Sequence, residues 1–433
     1  MDFLQYKALH VHAVKNLKGR ATPPASKSYS ARAVLAAALA PGKSEIDNIA
    51  DSQNVRAMID SCQALGAGIE FSRPDRLVVT GGDRQEDGAT VNPGNSGVVL
   101  RLLMGATAIL RQTTFITPYA DSLGRRSNSE MVDALRTLGV EVQAADEGRL
   151  PLTLDGTHVH GGEVSVNSRR SSQFLSGLLF LGGLLDEQLT VKVPDELKAP
   201  APVHTTLNVL RGTGVGVTAA DDLMTFTVDP TSRFRPTHHR VGSDPASTAA
   251  LLAIASAVDS TVDIEHHGLE ELDGVLDHLQ SMGVSIEVDE KSLRVRGGGE
   301  LKPVDFDGSL APDAVLPLAA LAAHADGISR FRNIEHIRYK ECDRISDFRR
   351  ELERAGIAAE EKSDELIVHG SPQGVAGGVT VDSHYDHAVV MAMSLVALRS
   401  RDGLTITDPQ YVAQTYPGFF EQLQRIGGSV TTG

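Results

Sequence analysis

Apolar and polar positions along the chain repeat one figure six times: the end of an amphipathic helix, a glycine, and then an alternating, strand-like run. Leu135-Arg136-Thr137-Leu138-Gly139-Val140-Glu141-Val142 shows it in full, and Leu352-Glu353-Arg354-Ala355-Gly356-Ile357 repeats it. The marker glycines are Gly66, Gly139, Gly214, Gly283, Gly356 and Gly427, separated by 73, 75, 69, 73 and 71 residues. Glycine just past a helix adopts the left-handed backbone that ends it, so each copy reads as helix, cap, strand. A unit of about 70 residues has room for two helices and three or four strands. That period is too long for a solenoid, and two clusters of three units are expected.

Between these figures, polar loops open apolar helices at five places. Pro23-Pro24-Ala25-Ser26-Lys27-Ser28 leads into an alanine-rich helix expected over 33–40, with Arg32 at its start. Ser26 or Ser28 can cap that helix, while Lys27 and Arg32 suit either an anion or a plain solvated surface. Asn95-Ser96-Gly97 opens a second helix, where Gly97 lets a ligand approach the backbone. In isolation, Arg125-Arg126 reads as an exposed basic turn ahead of the helix at 131–138. Ser171, Ser172 and Gln173 follow two arginines and precede an apolar run, a setting that suits phosphate or carboxylate. Asp313, in Pro312-Asp313-Ala314, is a helix cap by type or else a general base.

The densest charge lies in Arg338-Tyr339-Lys340-Glu341-Cys342-Asp343-Arg344, before an amphipathic run of Ile345, Phe348, Leu352 and Ala355. Lys340 and Arg344, four apart, are expected on one face of a first helical turn. Cations there oppose the helix dipole unless an anion binds, and Glu341 beside them is placed for proton transfer.

Composition narrows the possibilities. With 433 residues, 41% hydrophobic and 22% charged, the chain is a globular protein of at least two domains. Its net charge of −15 argues against a nucleic-acid partner, though not against a small anionic substrate. No apolar run reaches membrane-spanning length, and the N-terminus lacks an export signal. Two cysteines, Cys62 and Cys342, suit a reducing cytoplasm. His10 with His12, and His158 with His160, are each expected to share a strand face. Neither pair has a third ligand at metal-site spacing, so no metal is expected. No G-x-S-x-G elbow supports a serine hydrolase.

Taken in order, these loops resemble the enolpyruvyl transferases of the 5-enolpyruvylshikimate-3-phosphate synthase type. The likeness runs from about Pro23 to Gln424 through Ser26-Lys27-Ser28, Asn95-Ser96-Gly97 with Arg101, Ser122-Leu123 with Arg126, and Ser171-Ser172-Gln173. It continues through Pro312-Asp313-Ala314, Lys340-Glu341-Cys342-Asp343-Arg344, Asp386-His387 and Asp408-Pro409. The resemblance implies an α/β, two-domain inside-out barrel of six β-α-β-α-β-β repeats, closing over substrate. One domain would span 22–242, and the other would combine 1–21 with 243–433. It implies a monomer without cofactor. Ser28 and Arg32 would bind the shikimate carboxylate, and Ser171, Ser172 and Lys340 its phosphate. Lys27, Arg126, Gln173 and Arg344 would hold phosphoenolpyruvate, with Asn95 and Gly97 lining the site. Asp313 would take the proton of the 5-hydroxyl, and Glu341 would serve the phosphoenolpyruvate methylene.

Several positions depart from the family pattern. Ala388 and Gln414 stand where an arginine and a lysine are expected, Ala199 and Pro202 replace a serine and a tyrosine, and His336 replaces an asparagine. Two lost cationic contacts weaken phosphoenolpyruvate binding by about 3–6 kcal/mol. These departures leave two other readings open. One is a paralogue that abstracts a proton and dehydrates a shikimate-like acid without phosphoenolpyruvate. The other is a silent ligand-binding homologue. The uridine-sugar branch of the superfamily is disfavoured, because Asp121 stands where it carries a loop cysteine.

Overall fold

The computed structural model describes residues 3–82, 87–266, 272 and 274–432. Contacts divide the chain into two compact units, Ala25–Val241 and Met1–Pro24 with Gly242–Gly433. Among the described residues there are six sheets of four strands, three in each unit. All six marker glycines have left-handed φ, between 84° and 105°, and each follows a helix, as the repeat predicts.

A complete repeat is seen in 89–155. Strand Ala89–Val91 runs parallel to Thr113–Phe115, reached through helix Gly97–Ala106. Helix Ser129–Thr137 then leads to strand Glu141–Ala145, which hairpins antiparallel onto Arg149–Asp155. Three repeats borrow a strand from far along the chain, one of them by pairing Asn16–Ala21 parallel to Asp259–Glu265. In the first, His238–Arg240 supplies the parallel partner of Gly42–Asp47, pairing His239 with Ile46. In the last, Ala8–His12 pairs antiparallel with both Leu404–Thr407 and Ser429–Thr432.

Sheets lie outside and helices inside, which explains the two kinds of helical sequence. In unit Met1–Pro24 with Gly242–Gly433, Pro245–Ala257, Val315–Ala322 and His387–Arg399 pack on one another, buried on nearly all sides. Apolar residues all round the helix make that possible. The second helix of a repeat is amphipathic instead. Ser346–Arg354 buries Phe348 and Leu352 and exposes Arg350 and Glu353. In unit Ala25–Val241, helices Gly97–Ala106 and Gln173–Gly182 cross glycine on glycine. A Cβ on Gly105 would stand 1.9 Å from the carbonyl oxygen of Gly177, so no larger residue permits this approach.

Two local expectations differ from the structure. The alanine-rich helix expected at 33–40 begins at Lys27 and runs to Leu39, because Ser26 caps it by accepting from the Tyr29 N–H at 3.2 Å. His158 and His160 lie in a turn and the segment after it rather than on a strand. His10 and His12 do share a strand, with ring centroids 4.4 Å apart. No helix among the described residues is long and apolar enough to cross a membrane.

Candidate active site

In unit Ala25–Val241, helix starts gather the predicted residues into two adjoining groups. Lys27 is the first residue of helix Lys27–Leu39, and Ser28 lies beside it, both half-buried. Arg32, one turn on, is fully buried and donates to the Ser28 hydroxyl at 2.8 Å and to the Thr206 hydroxyl at 2.7 Å. The second group follows from the glycine crossing, which brings Arg101 to the start of the neighbouring helix. Arg101 donates to Ser171 Oγ at 3.1 Å and Gln173 Oε1 at 2.9 Å, and lies 4.6 Å over the Phe174 ring. Asn128 Oδ1 accepts from Arg101 Nε at 3.3 Å.

Gly97 is the bare centre of this second group. A Cβ there would meet Arg126 Nη1 at 3.0 Å, and Arg101 Nη1 and Gln173 Oε1 at 3.4 Å. Arg126 is therefore not the exposed basic turn its local sequence suggests: it is buried and donates to Ser122 Oγ at 3.3 Å. Its neighbour Arg125 is the exposed one of the pair. Asn95 is buried, its Oδ1 accepting from the Leu123 N–H at 3.1 Å. Ser172, also buried, is the residue before helix Gln173–Gly182.

The other unit holds a different kind of cluster. Arg344 is 2% exposed, and its guanidinium donates to three carboxylates. Asp386 takes two of these bonds, at 2.7 and 3.1 Å, Asp313 one at 2.9 Å and Glu341 one at 3.1 Å. Burial would lower the arginine's pKa, but Asp386, Glu341 and Asp313 outweigh it and hold the charge firmly in place. Glu341, Asp386 and His387 also approach within 4.8 Å of one another, and Arg344 already bonds to two of them. Burial, followed by the nearby Asp386, pushes the Cys342 thiol far up, so it is no nucleophile.

This geometry overturns the helical reading of Lys340 to Arg344. The helix begins at Ser346, beyond both cations. Its free N–H groups are met by Asp343, which accepts from Ile345 and Ser346 at 3.1 and 3.0 Å, while Asp347 accepts from the Asp343 N–H at 2.9 Å. A reciprocal acidic cap thus does the work assigned to a bound anion. Lys340 ends the 3₁₀ turn Glu335–Tyr339, which carries the buried His336. Nor does Asp313 cap a helix: it lies in the short turn Pro312–Ala314, its side chain turned to Arg344.

Asp386, the principal anchor of Arg344, was visible in the sequence only as half of the Asp386-His387 pair in the family resemblance. The turn before it is strained, for His384 and Tyr385 have left-handed φ of 50° and 62°. Such a backbone costs about 1–2 kcal/mol per residue outside glycine. His384 Nε2 lies 2.8 Å from the buried Glu351 carboxylate, and Gln414 Nε2 donates to the Tyr385 carbonyl at 2.8 Å. Gln414 is therefore a buried latch on the Asp386 turn. Ala388 is buried too, its N–H donating to Asp386 at 2.8 Å. Arg101, Asn128, Thr206 and Ser176 were not singled out as site residues; each is a buried polar residue, and only Arg101 and Ser176 stand out in sequence against apolar neighbours.

The sequence profile of one family, EPSP synthase (3-phosphoshikimate 1-carboxyvinyltransferase), matches residues 11–423. The chain belongs to the EPSP synthase family. It is 46% identical to the 3-phosphoshikimate 1-carboxyvinyltransferase of Burkholderia pseudomallei strain K96243, over 99% of this chain and 96% of that protein. It is 40% identical to the Deinococcus radiodurans protein of the same name, over 96% and 95%. The fold resembles EPSP synthase from Acinetobacter baumannii with a TM-score of 0.81 at 24% identity, covering 98% of this chain and 99% of that one. The enolpyruvyl transferase NikO from Streptomyces tendae matches over the same shares with a TM-score of 0.81 at 19% identity. The six-repeat α/β reading of the EPSP synthase type accordingly stands.

Proposed function

We propose that the chain transfers the carboxyvinyl group of phosphoenolpyruvate to the 5-hydroxyl of shikimate 3-phosphate or a close analogue. The observation that carries this reading is the Arg344 cluster, in which Asp313 and Glu341 share one guanidinium. The reaction needs two groups that exchange protons, beside a cation that steadies an anionic donor. Asp313 accepts the proton of the 5-hydroxyl as its oxygen bonds to C2 of phosphoenolpyruvate. Glu341 gives a proton to the methylene, then takes one back as the C2–O bond to phosphate breaks. The products are the enol ether and inorganic phosphate.

In this reading residues 22–242 hold the acceptor, through Ser28, Arg32, Ser171 and Ser172. Lys27, Arg126, Gln173, Asn95 and Gly97 line the donor side, and Lys340 and His336 are assigned to the acceptor as well. With neutral side chains at Ala388 and Gln414, phosphoenolpyruvate binds less tightly than in relatives that keep both cations. Two buried, unbridged thiols support a reducing cytoplasm, where we take the enzyme to act as a monomer. The family relationship supports transfer over dehydration or silent binding.

The test is to incubate the protein with shikimate 3-phosphate, phosphoenolpyruvate, or both, and to follow phosphate release and product mass. Phosphate release only when both are present is expected. Loss of water from the cyclic acid without phosphoenolpyruvate would overturn the proposal.

A further inference from the structure

Thr206 and Ser176 form a buried hydroxyl relay between the two ends of the proposed acceptor site. Arg32 Nε donates to Thr206 Oγ1 at 2.7 Å, and Thr206 Oγ1 lies 2.9 Å from Ser176 Oγ. Ser176 Oγ is in turn 3.3 Å from the carbonyl of Ser172 and 3.5 Å from Arg32 Nη2. The three side chains come from three helices, Lys27–Leu39, Ala201–Gly212 and Gln173–Gly182, and all are 0% exposed.

A hydroxyl can accept one hydrogen bond and donate another. Thr206 has a single proton to give, and both Ser176 Oγ and the Pro202 carbonyl lie 2.9 Å away. When it serves Ser176, a continuous chain runs from the Arg32 guanidinium to the backbone of Ser172. Valine and alanine would fill these volumes without burying polar atoms, so the hydroxyls need a reason beyond packing. Orienting a buried guanidinium is such a reason, since a side chain with four rotatable bonds is poorly aimed by apolar contacts alone.

We infer that Thr206 and Ser176 are positioning residues for the acceptor, aiming Arg32 and tying it to the Ser171–Ser172 helix start. The carboxylate end and the phosphate end of the acceptor are then gripped by one connected frame. This inference rests on the roles proposed above for Arg32 and Ser172.

The test pairs the isosteric Thr206→Val with Thr206→Ser, which keeps the hydroxyl, and adds Ser176→Ala. Calorimetric titration with shikimate 3-phosphate is combined with steady-state kinetics and thermal melting. Thr206→Val is expected to weaken acceptor binding and raise its KM by about tenfold, since a buried donor loses its partner. The KM for phosphoenolpyruvate and kcat should stay near wild type, and Thr206→Ser should restore acceptor affinity. Ser176→Ala should show a smaller loss in the same direction, and it keeps the idea testable if Thr206→Val does not fold. Unchanged acceptor affinity in Thr206→Val, with normal wild-type binding, overturns the relay alone. An equal loss for both substrates, with lowered melting in the Val and Ser variants alike, marks a packing role and overturns it too. A wild-type protein that binds no shikimate 3-phosphate refutes the functional reading itself, and the relay with it.

Discussion

The two units share an architecture of three four-stranded sheets over buried helices among the described residues, yet the buried arginines of the candidate site are held with different chemistry in each. In Ala25–Val241, Arg32 and Arg101 donate to hydroxyls and side-chain amides of Ser28, Thr206, Ser171, Gln173 and Asn128, and Arg32 also to the Ser28 carbonyl. In the other unit, Arg344 is ringed by the carboxylates of Asp386, Asp313 and Glu341. A hydroxyl or amide keeps its protons across the working pH range and passes a hydrogen bond onward. A carboxylate only accepts until it is protonated, and then it can give the proton away. One set of acceptors suits the fixed placement of a ligand, and the other suits proton traffic. In the proposed reaction the same repeat serves binding or acid–base work according to which side chains its loops carry.

The largest effect is expected from Asp386→Ala, which removes the doubly bonded partner of a buried guanidinium. Breaking such a pair costs about 3–5 kcal/mol, read from denaturant unfolding, and activity should fall with it. A loss below about 1 kcal/mol would mean that Asp313 and Glu341 suffice to hold Arg344. Next comes Gly105→Ala in the other unit, where the added methyl meets a backbone carbonyl that cannot swing aside. Overpacking there should cost about 3 kcal/mol and shift Arg101 away from Ser171 and Gln173. Its kinetic signature is a raised KM for both substrates, since Arg101 bonds Ser171 on the proposed acceptor side and Gln173 on the donor side, whereas Asp386→Ala should chiefly lower kcat. The same split between KM and kcat from both variants would erase the division of labour between the units.

The smallest effect concerns pH. His324 is fully buried with neither ring nitrogen hydrogen-bonded among the described residues, and burial, with Arg399 adding to it, presses its pKa down to about 3. His239, in the other unit, is pressed by burial down to about 4. The unfolded chain protonates these rings near 6.5 while the folded chain refuses the proton. Stability is therefore whole above 6.5 and falls as pH drops from there toward 3 or 4. His324→Leu should remove its share, flattening the loss between pH 7 and 5 by about 2 kcal/mol. Unfolding curves at the two pH values check this, and an unchanged slope would show that His324 takes up a proton in the fold.

Legibility followed the range of the interactions. Gly66 and its five counterparts could be read because a left-handed cap concerns one residue and its own helix. Burial of Ile345, Phe348, Leu352 and Ala355 was legible for the same reason, through their spacing. Lys340 and Arg344 were misread as a helical turn because the competing cap, Asp343, lay inside the same charged run. Burial of Arg126 beside the exposed Arg125 was illegible, since neither neighbour in sequence does the burying.

By itself the sequence determined the repeat, its glycine-capped helix ends and the inventory of chemical groups, because each depends on residues a few positions apart. Only the tertiary structure decided which distant strand completes a repeat, as His238–Arg240 does beside Gly42–Asp47. It also decided that Arg344 meets Asp386 across 42 residues, and that Arg32 meets Thr206 across 174. Such partners are chosen by whichever helices the glycine crossings and buried apolar faces allow together, and no local pattern records that choice.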